Sequence, residues 1–87
     1  TAKEVTAHGE VVKLTPTEYK IVELLMTNAG RVFSIREIYE RVWNEPGYNA
    51  ENTVAVHIRR IREKIEIDPK NPRFLKVVWG IGYKMEK

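Results

Sequence analysis

Glu51-Asn52-Thr53-Val54-Ala55-Val56-His57-Ile58-Arg59-Arg60-Ile61-Arg62-Glu63-Lys64-Ile65-Glu66 is the stretch on which the reading of this chain turns. No glycine or proline interrupts it. Stepping about 100° per residue from Val54 places Val54, Ile58, Ile61 and Ile65 within about 40° of one line. A narrow stripe of β-branched side chains at that spacing predicts a helix seated firmly on a core. The opposite side carries Asn52, Thr53, Val56, Arg59 and Arg60, and His57 and Arg62 lie on the flanks. The outward face therefore combines cations, hydrogen-bonding groups and one valine. Asp68-Pro69 and Asn71-Pro72 close the stretch on its C-terminal side.

Two further helices are legible upstream. Thr15-Pro16-Thr17-Glu18 is a capping box with proline at the first helical position. Tyr19, Val22, Leu25, Met26 and Ala29 then form the expected apolar stripe, with Gly30 as the expected stop. Ser34-Ile35-Arg36-Glu37 repeats the capping pattern, and Ile35, Ile38, Tyr39, Val42 and Trp43 follow at helical spacing. Asn44-Glu45-Pro46-Gly47 is loop chemistry. Between the two helices, Arg31-Val32-Phe33 is a short link or strand. Residues 1–14 look extended, with a hairpin turn at His8-Gly9. At the other end, Phe74–Trp79 and Tyr83–Met85 flank Gly80-Ile81-Gly82, again as a hairpin. The predicted order is strands, three helices, hairpin.

The chain has 87 residues, enough for one small domain. Its net charge of +3 divides unevenly, as −1 over residues 1–45 and +4 over residues 46–87. A basic half of this kind often meets nucleic acid, with a merely solvated surface as the bland alternative. No cysteine is present, which removes disulfides, zinc–thiolate sites and cysteine nucleophiles. No apolar run approaches the roughly 18 residues of a membrane span, and the polar N-terminus is no signal peptide. The chain begins at Thr1 without an initiator Met, so a piece of a longer protein is expected.

Duplex DNA suits the outward face of the third helix. Arginine reaches phosphates or grips guanine O6 and N7, and a threonine or valine methyl meets the thymine methyl. An α-helix also fits the major groove by width. Val56 against a neighbouring loop, among solvated arginines, is the structural alternative. The preceding helix makes the pair similar to a helix-turn-helix, although Asn44–Ala50 is longer than the usual turn. Enzymatic residue sets are missing. His57 has no carboxylate at metal-ligand spacing, so no metal is expected. Glu37 and Glu40 beside Arg36 and Arg41 read as solvated ion pairs. Gly80-Ile81-Gly82 is followed by no helix and is no phosphate loop. No nucleophile–base pair and no substrate-pocket motif is found, so enzyme activity and a cofactor are not expected. Two other classes stay open: a protein-docking module for an acidic partner, and an RNA binder, which would need a stacking platform of exposed aromatics.

Leu14–Tyr19, Val42-Trp43, Thr53–Arg62 and Gly80–Tyr83 together resemble the C-terminal effector domain of OmpR/PhoB-type response regulators. The likeness covers nearly the whole chain. It implies an α+β winged helix-turn-helix with N-terminal strands, three helices and a C-terminal hairpin wing. That family usually has four N-terminal strands where this chain has room for about two, so truncation is expected. The resemblance also implies an upstream phosphorylated receiver domain, a bacterial cytoplasmic location and head-to-tail dimers on direct-repeat operators. A contact with RNA polymerase through Asn44–Ala50 is implied as well. By position, Arg60 and Val56 would face bases, while Thr53, His57, Arg59 and Arg62 would face mainly phosphates. Trp43 and Tyr83 match backbone-contacting positions, and Asn52 stands where some members carry arginine. Ala55 replaces a common aspartate. Trp79 stands where some members put a minor-groove arginine, so either Lys76 or Lys84 would partly take over its charge or the wing would press on the flanking backbone instead.

Overall fold

The structure is a computed structural model that describes residues 5–86. Residues 1–4 of the expected N-terminal extended segment lie outside the described residues. Strands β1 (Val5–Ala7) and β2 (Glu10–Val12) come first, then helix α1 (Pro16–Thr27), strand β3 (Phe33–Ser34) and helix α2 (Ile35–Trp43). Helix α3 (Glu51–Ile65) and strands β4 (Leu75–Val78) and β5 (Gly82–Met85) complete the chain. β1 and β2 form an antiparallel hairpin with Val5 opposite Val12. Its two-residue turn, His8-Gly9, has φ of 54° and 80°, the left-handed geometry that matches the twist of paired strands.

Both predicted capping boxes are present. The Glu18 amide donates to Thr15 Oγ1 at 3.2 Å, and the Thr15 amide donates to Glu18 Oε1 at 3.0 Å. Ser34 and Glu37 repeat the exchange at 3.0 and 3.1 Å. The buried face of α1 nevertheless differs from the expected stripe. Glu18, Ile21, Val22 and Leu25 point inward, while Met26 is 53% exposed. The cause is Lys64 on α3, whose Nζ lies 2.5 Å from Glu18 Oε1 and makes burial of that carboxylate tolerable. The helix turns its Glu18 side inward, and Ile21 follows one turn later.

α1 also ends before the expected stop. Thr27 Oγ1 donates to the Glu23 carbonyl and Asn28 Nδ2 to the Leu24 carbonyl, so side chains supply donors to carbonyls near the helix end. Gly30, at φ 91°, lies beyond the end and donates its amide to the Met85 carbonyl at 2.8 Å. It ties the turn to β5 and is not the cap.

α3 packs as its spacing predicts. Val54, Ile58, Ile61 and Ile65 are all buried, with Ile21, Val22, Leu25, Phe33, Ile38, Leu75 and Met85 in the same core. Each such side chain is worth about 1.5–3 kcal/mol when fully buried, which locks the rotation of α3. β3, β5 and β4 form one antiparallel sheet in that order. Phe33 pairs with Tyr83 and Ser34 with Gly82, while Leu75 pairs with Met85 and Val78 with Gly82. Buried Glu66 anchors the base of the hairpin. Its carboxylate accepts the amides of Arg73, Phe74 and Leu75 at 2.8–3.3 Å. The result is a three-helix core with the C-terminal hairpin standing beside α3. This is the winged-helix arrangement that the resemblance implied.

Candidate nucleic-acid interface

With the apolar stripe of α3 fixed inward, the helical period carries Asn52, Val56, Arg59 and Arg60 to an exposed face, with Thr53 half-buried at its edge. Val56 is 42% exposed, so the neighbouring-loop reading of its methyls is not realised. Arg59 Nε lies 3.7 Å from Glu63, an ion pair open to solvent on both sides and worth little. Arg60 is exposed and forms no ion pair among the described residues. The face thus offers an unpaired guanidinium, a loosely paired one, an amide, a hydroxyl and three methyls on one rigid helix.

His57 and Trp43 join the flank of this face. His57 Nδ1 is 2.7 Å from the Thr53 carbonyl, which can only accept, so Nδ1 carries the hydrogen. Nε2 is then an acceptor on the neutral ring and a donor only on the imidazolium. The imidazole meets Trp43 edge to face at 5.0 Å, and Trp43 stacks on Tyr39 at 4.9 Å and 9°. This aromatic column spans α2 and α3 and fixes the direction of His57.

Arg62 and Tyr83 come together elsewhere, at the joint between α3 and the hairpin. Arg62 Nε donates to the Leu75 carbonyl at 3.0 Å, and the guanidinium lies 5.7 Å from the Tyr83 ring centre. Arg62 Nη2 is buried without a hydrogen-bond partner among the described residues. Arg62 is therefore turned from Arg59 and Arg60 toward the base of the wing. Lys76 on β4 is exposed and stands opposite Lys84 on β5. Lys84 pairs with Glu86 at 3.0 Å, and its hydrogen bond and charge hold the Glu86 carboxyl below the usual range. Trp79 sits at the hairpin tip, 88% exposed.

Several contributors had no distinct signal in the sequence. Arg36, Glu51 and Ile81 join the already marked Trp79 and Tyr83 around one shallow crevice between the hairpin tip and the starts of α2 and α3. Tyr48, 74% exposed, projects from the loop after α2, with the Arg36 guanidinium 5.8 Å from its ring centre. The loop itself is held by the Gly47 amide, which donates to Glu40 Oε2 at 3.1 Å. That bond, and then Arg36, lower the Glu40 carboxyl below its ordinary range. An aromatic beside Gly47 was the one available hint. Among the described residues no cluster of histidine and carboxylate side chains could hold a metal ion. None of their helices is long and apolar enough to cross a membrane.

Known proteins share this pattern. Residues 9–85 match the family described as "Transcriptional regulatory protein, C terminal". The uncharacterized transcriptional regulatory protein YcbL of Bacillus subtilis is 46% identical over 81 residues, covering 93% of this chain and 36% of its own length. The response regulator DrrB of Thermotoga maritima, an OmpR/PhoB homologue, superposes with a TM-score of 0.81 at 35% identity, over 91% of this chain and 36% of its own. The Klebsiella pneumoniae RstA DNA-binding domain, solved in complex with the RstA box, superposes at 0.85 with 25% identity, over 95% and 82%. This chain spans about a third of the length of the curated relatives it matches. From its capping boxes to its hairpin wing, the chain belongs to the C-terminal transcriptional regulatory domain family of OmpR/PhoB response regulators.

Proposed function

We infer that this chain binds duplex DNA sequence-specifically as the output domain of a two-component response regulator, and thereby controls transcription. α3 enters the major groove. Arg60 and Val56 meet base edges, while Asn52, Thr53, His57 and Arg59 meet phosphates or the base edges beside them. Trp43 and Tyr83 support the backbone on either side, and the hairpin with Lys76 and Trp79 reaches the flanking backbone or minor groove. Arg62 keeps a place in the interface from the wing side of α3, where its inward hydrogen bond sets the wing's direction as well. The observation that carries the reading is the exposed Asn52/Val56/Arg59/Arg60 face on a helix whose other face is locked by four buried side chains. RstA's capture on its DNA box supports it, since that domain shares the fold over nearly the whole of this chain.

Two copies would stand head to tail on a direct repeat, and a receiver domain upstream would set when they do so. The loop Asn44–Ala50, with Tyr48 projecting from it, would face RNA polymerase. All of this belongs to the bacterial cytoplasm. Selection of bound sites from a random duplex library tests the reading. The expected outcome is an enriched motif, repeated in the same orientation. Absence of any gel shift at low salt, with retention on an acidic protein surface instead, would overturn it in favour of a protein-docking module.

A further inference from the structure

The tip of the wing is apolar. Trp79, Gly80 and Ile81 form a tight turn closed by the Ile81 amide donating to the Val78 carbonyl at 3.0 Å. Gly80 takes φ 77°, with open space around its α-carbon. Trp79 is 88% and Ile81 61% exposed, so two large apolar side chains flank a glycine at the outermost point of the hairpin. An indole left in water gives up a large hydrophobic gain that any covering surface would return. The stalk beneath it is stiff. β5 is paired on both sides, Glu66 holds the first amide of β4 and the two before it, and Arg62 holds the Leu75 carbonyl. Lys76 stands exposed on the stalk opposite Lys84, whose charge Glu86 already pairs at 3.0 Å, so Lys76 is the stalk cation most open to an anionic partner. Cations on the stalk and an indole beyond them suit a groove whose rims are phosphates and whose floor is bases. The tip also borders the crevice shared with Glu51, so it continues the surface that begins with α3.

We propose that Trp79 is an apolar wedge that enters the minor groove beside the site read by α3 and partly unstacks one base step there. This rests on the DNA-binding role of α3. A cation at the tip would favour the narrow, electronegative groove of A-tracts. An indole carries no charge for that purpose. It gains instead where the step opens easily, at TA and CA/TG steps, as apolar side chains of DNA-bending proteins do. Its Nε1–H finds acceptors on the groove floor, where adenine N3 and thymine O2 lie. Flanking deformability then becomes part of the specificity of this chain.

The test uses the whole chain and single-site duplexes recovered from the random library, with the flank rebuilt as either TA steps or a stiff A-tract. Trp79→Ala should weaken binding roughly tenfold on the TA-flanked duplex and scarcely on the A-tract. The log–log salt slope should stay unchanged, because no phosphate contact is lost. Permanganate should oxidise the flanking thymine of the TA step when the wild type is bound and leave it unreactive with Trp79→Ala. Trp79→Arg should reverse the flank preference and steepen the slope by about 0.9. Equal losses on both flanks, or no thymine reactivity, would overturn the wedge. So would a loss confined to tandem sites, which would mean that Trp79 covers a second copy. Arg60→Ala separates the two ideas. If it relaxes preference at one or two base pairs while Trp79→Ala is silent, only the wedge fails. If neither variant alters binding, the reading of α3 fails with it.

Discussion

Arg59 and Arg60 are adjacent in sequence but stand in different surroundings. Arg59 has Glu63 one turn below it, and Arg60 has no ion-pair partner among the described residues. Arg60→Ala is expected to cost roughly 1–3 kcal/mol and relax preference at one or two base pairs. Arg59→Ala should weaken all sequences evenly and flatten the salt slope by about 0.9. Titrations against the selected duplex and its single-base variants check this, and identical uniform losses would remove the distinction between them. Glu18 governs a different observable. Burial alone pushes its carboxyl up, but the Lys64 ammonium and the Thr15 amide and hydroxyl together outweigh it, so the net shift is downward. A carboxyl depressed in the folded state adds stability above its unfolded value near 4 and loses it as pH falls through the lower folded value. Glu18→Gln should therefore be less stable by about 1–3 kcal/mol at neutral pH. It should also lose less on acidification than the wild type, as denaturant unfolding at a series of pH values would show. A parallel acid decline in both proteins would refute the Glu18–Lys64 account.

Elements show where sequence reasoning succeeds and where it stops. The caps at Thr15 and Ser34 were legible because both partners of each bond lie within one turn. The α3 stripe was legible because four β-branched residues keep one line. The inward face of α1 was not, since only Lys64, far along the chain, makes a buried Glu18 acceptable. β3 escaped firm assignment because two residues carry no periodicity and pair only with distant β5. At the candidate site, the outward set on α3 followed from its spacing. The inward turn of Arg62 and the Trp43–His57 contact depend on where Leu75 and α2 arrive, which no local pattern encodes. Gly82 was read as turn chemistry, yet its φ is not among the positive ones and its role is steric. A methyl there would lie 1.9 Å from the Phe33 carbonyl oxygen, so β3 and β5 would have to part. Gly82→Ala should cost about 3 kcal/mol. Gly80→Ala, which meets open space and only a positive φ, should cost about 1 kcal/mol. Thermal melts of the two variants should separate clearly, and equal shifts would show that β3–β5 contact is not limiting.

The whole molecule is asymmetric in charge and in shape. Its basic half contains α3 and the hairpin, whereas the half holding α1 and α2 is nearly neutral. If about five phosphates are neutralised, the log–log salt slope of binding should be near −4.5, and a slope near zero would sink the electrostatic account. The domain measures 36 × 31 × 21 Å, comparable to the roughly 34–36 Å of one DNA turn, so copies repeating once per turn would lie side by side. Glu66 has a consequence for the chain's tolerance of added length. Because its carboxylate grips Arg73, Phe74 and Leu75 directly, the path from Ile67 to Pro72 is bypassed, and the junction of helix and hairpin does not depend on it. Lengthening a flexible loop twofold costs only about 0.6 kcal/mol in closure entropy. Doubling this segment with glycine and serine should leave the melting temperature within a few degrees and DNA affinity unchanged, whereas Glu66→Ala combined with the same insertion should lose both. The segment between Ile67 and Pro72 is thus the place where a peptide tag, a fluorophore or a second domain can be spliced into this protein without moving the wing.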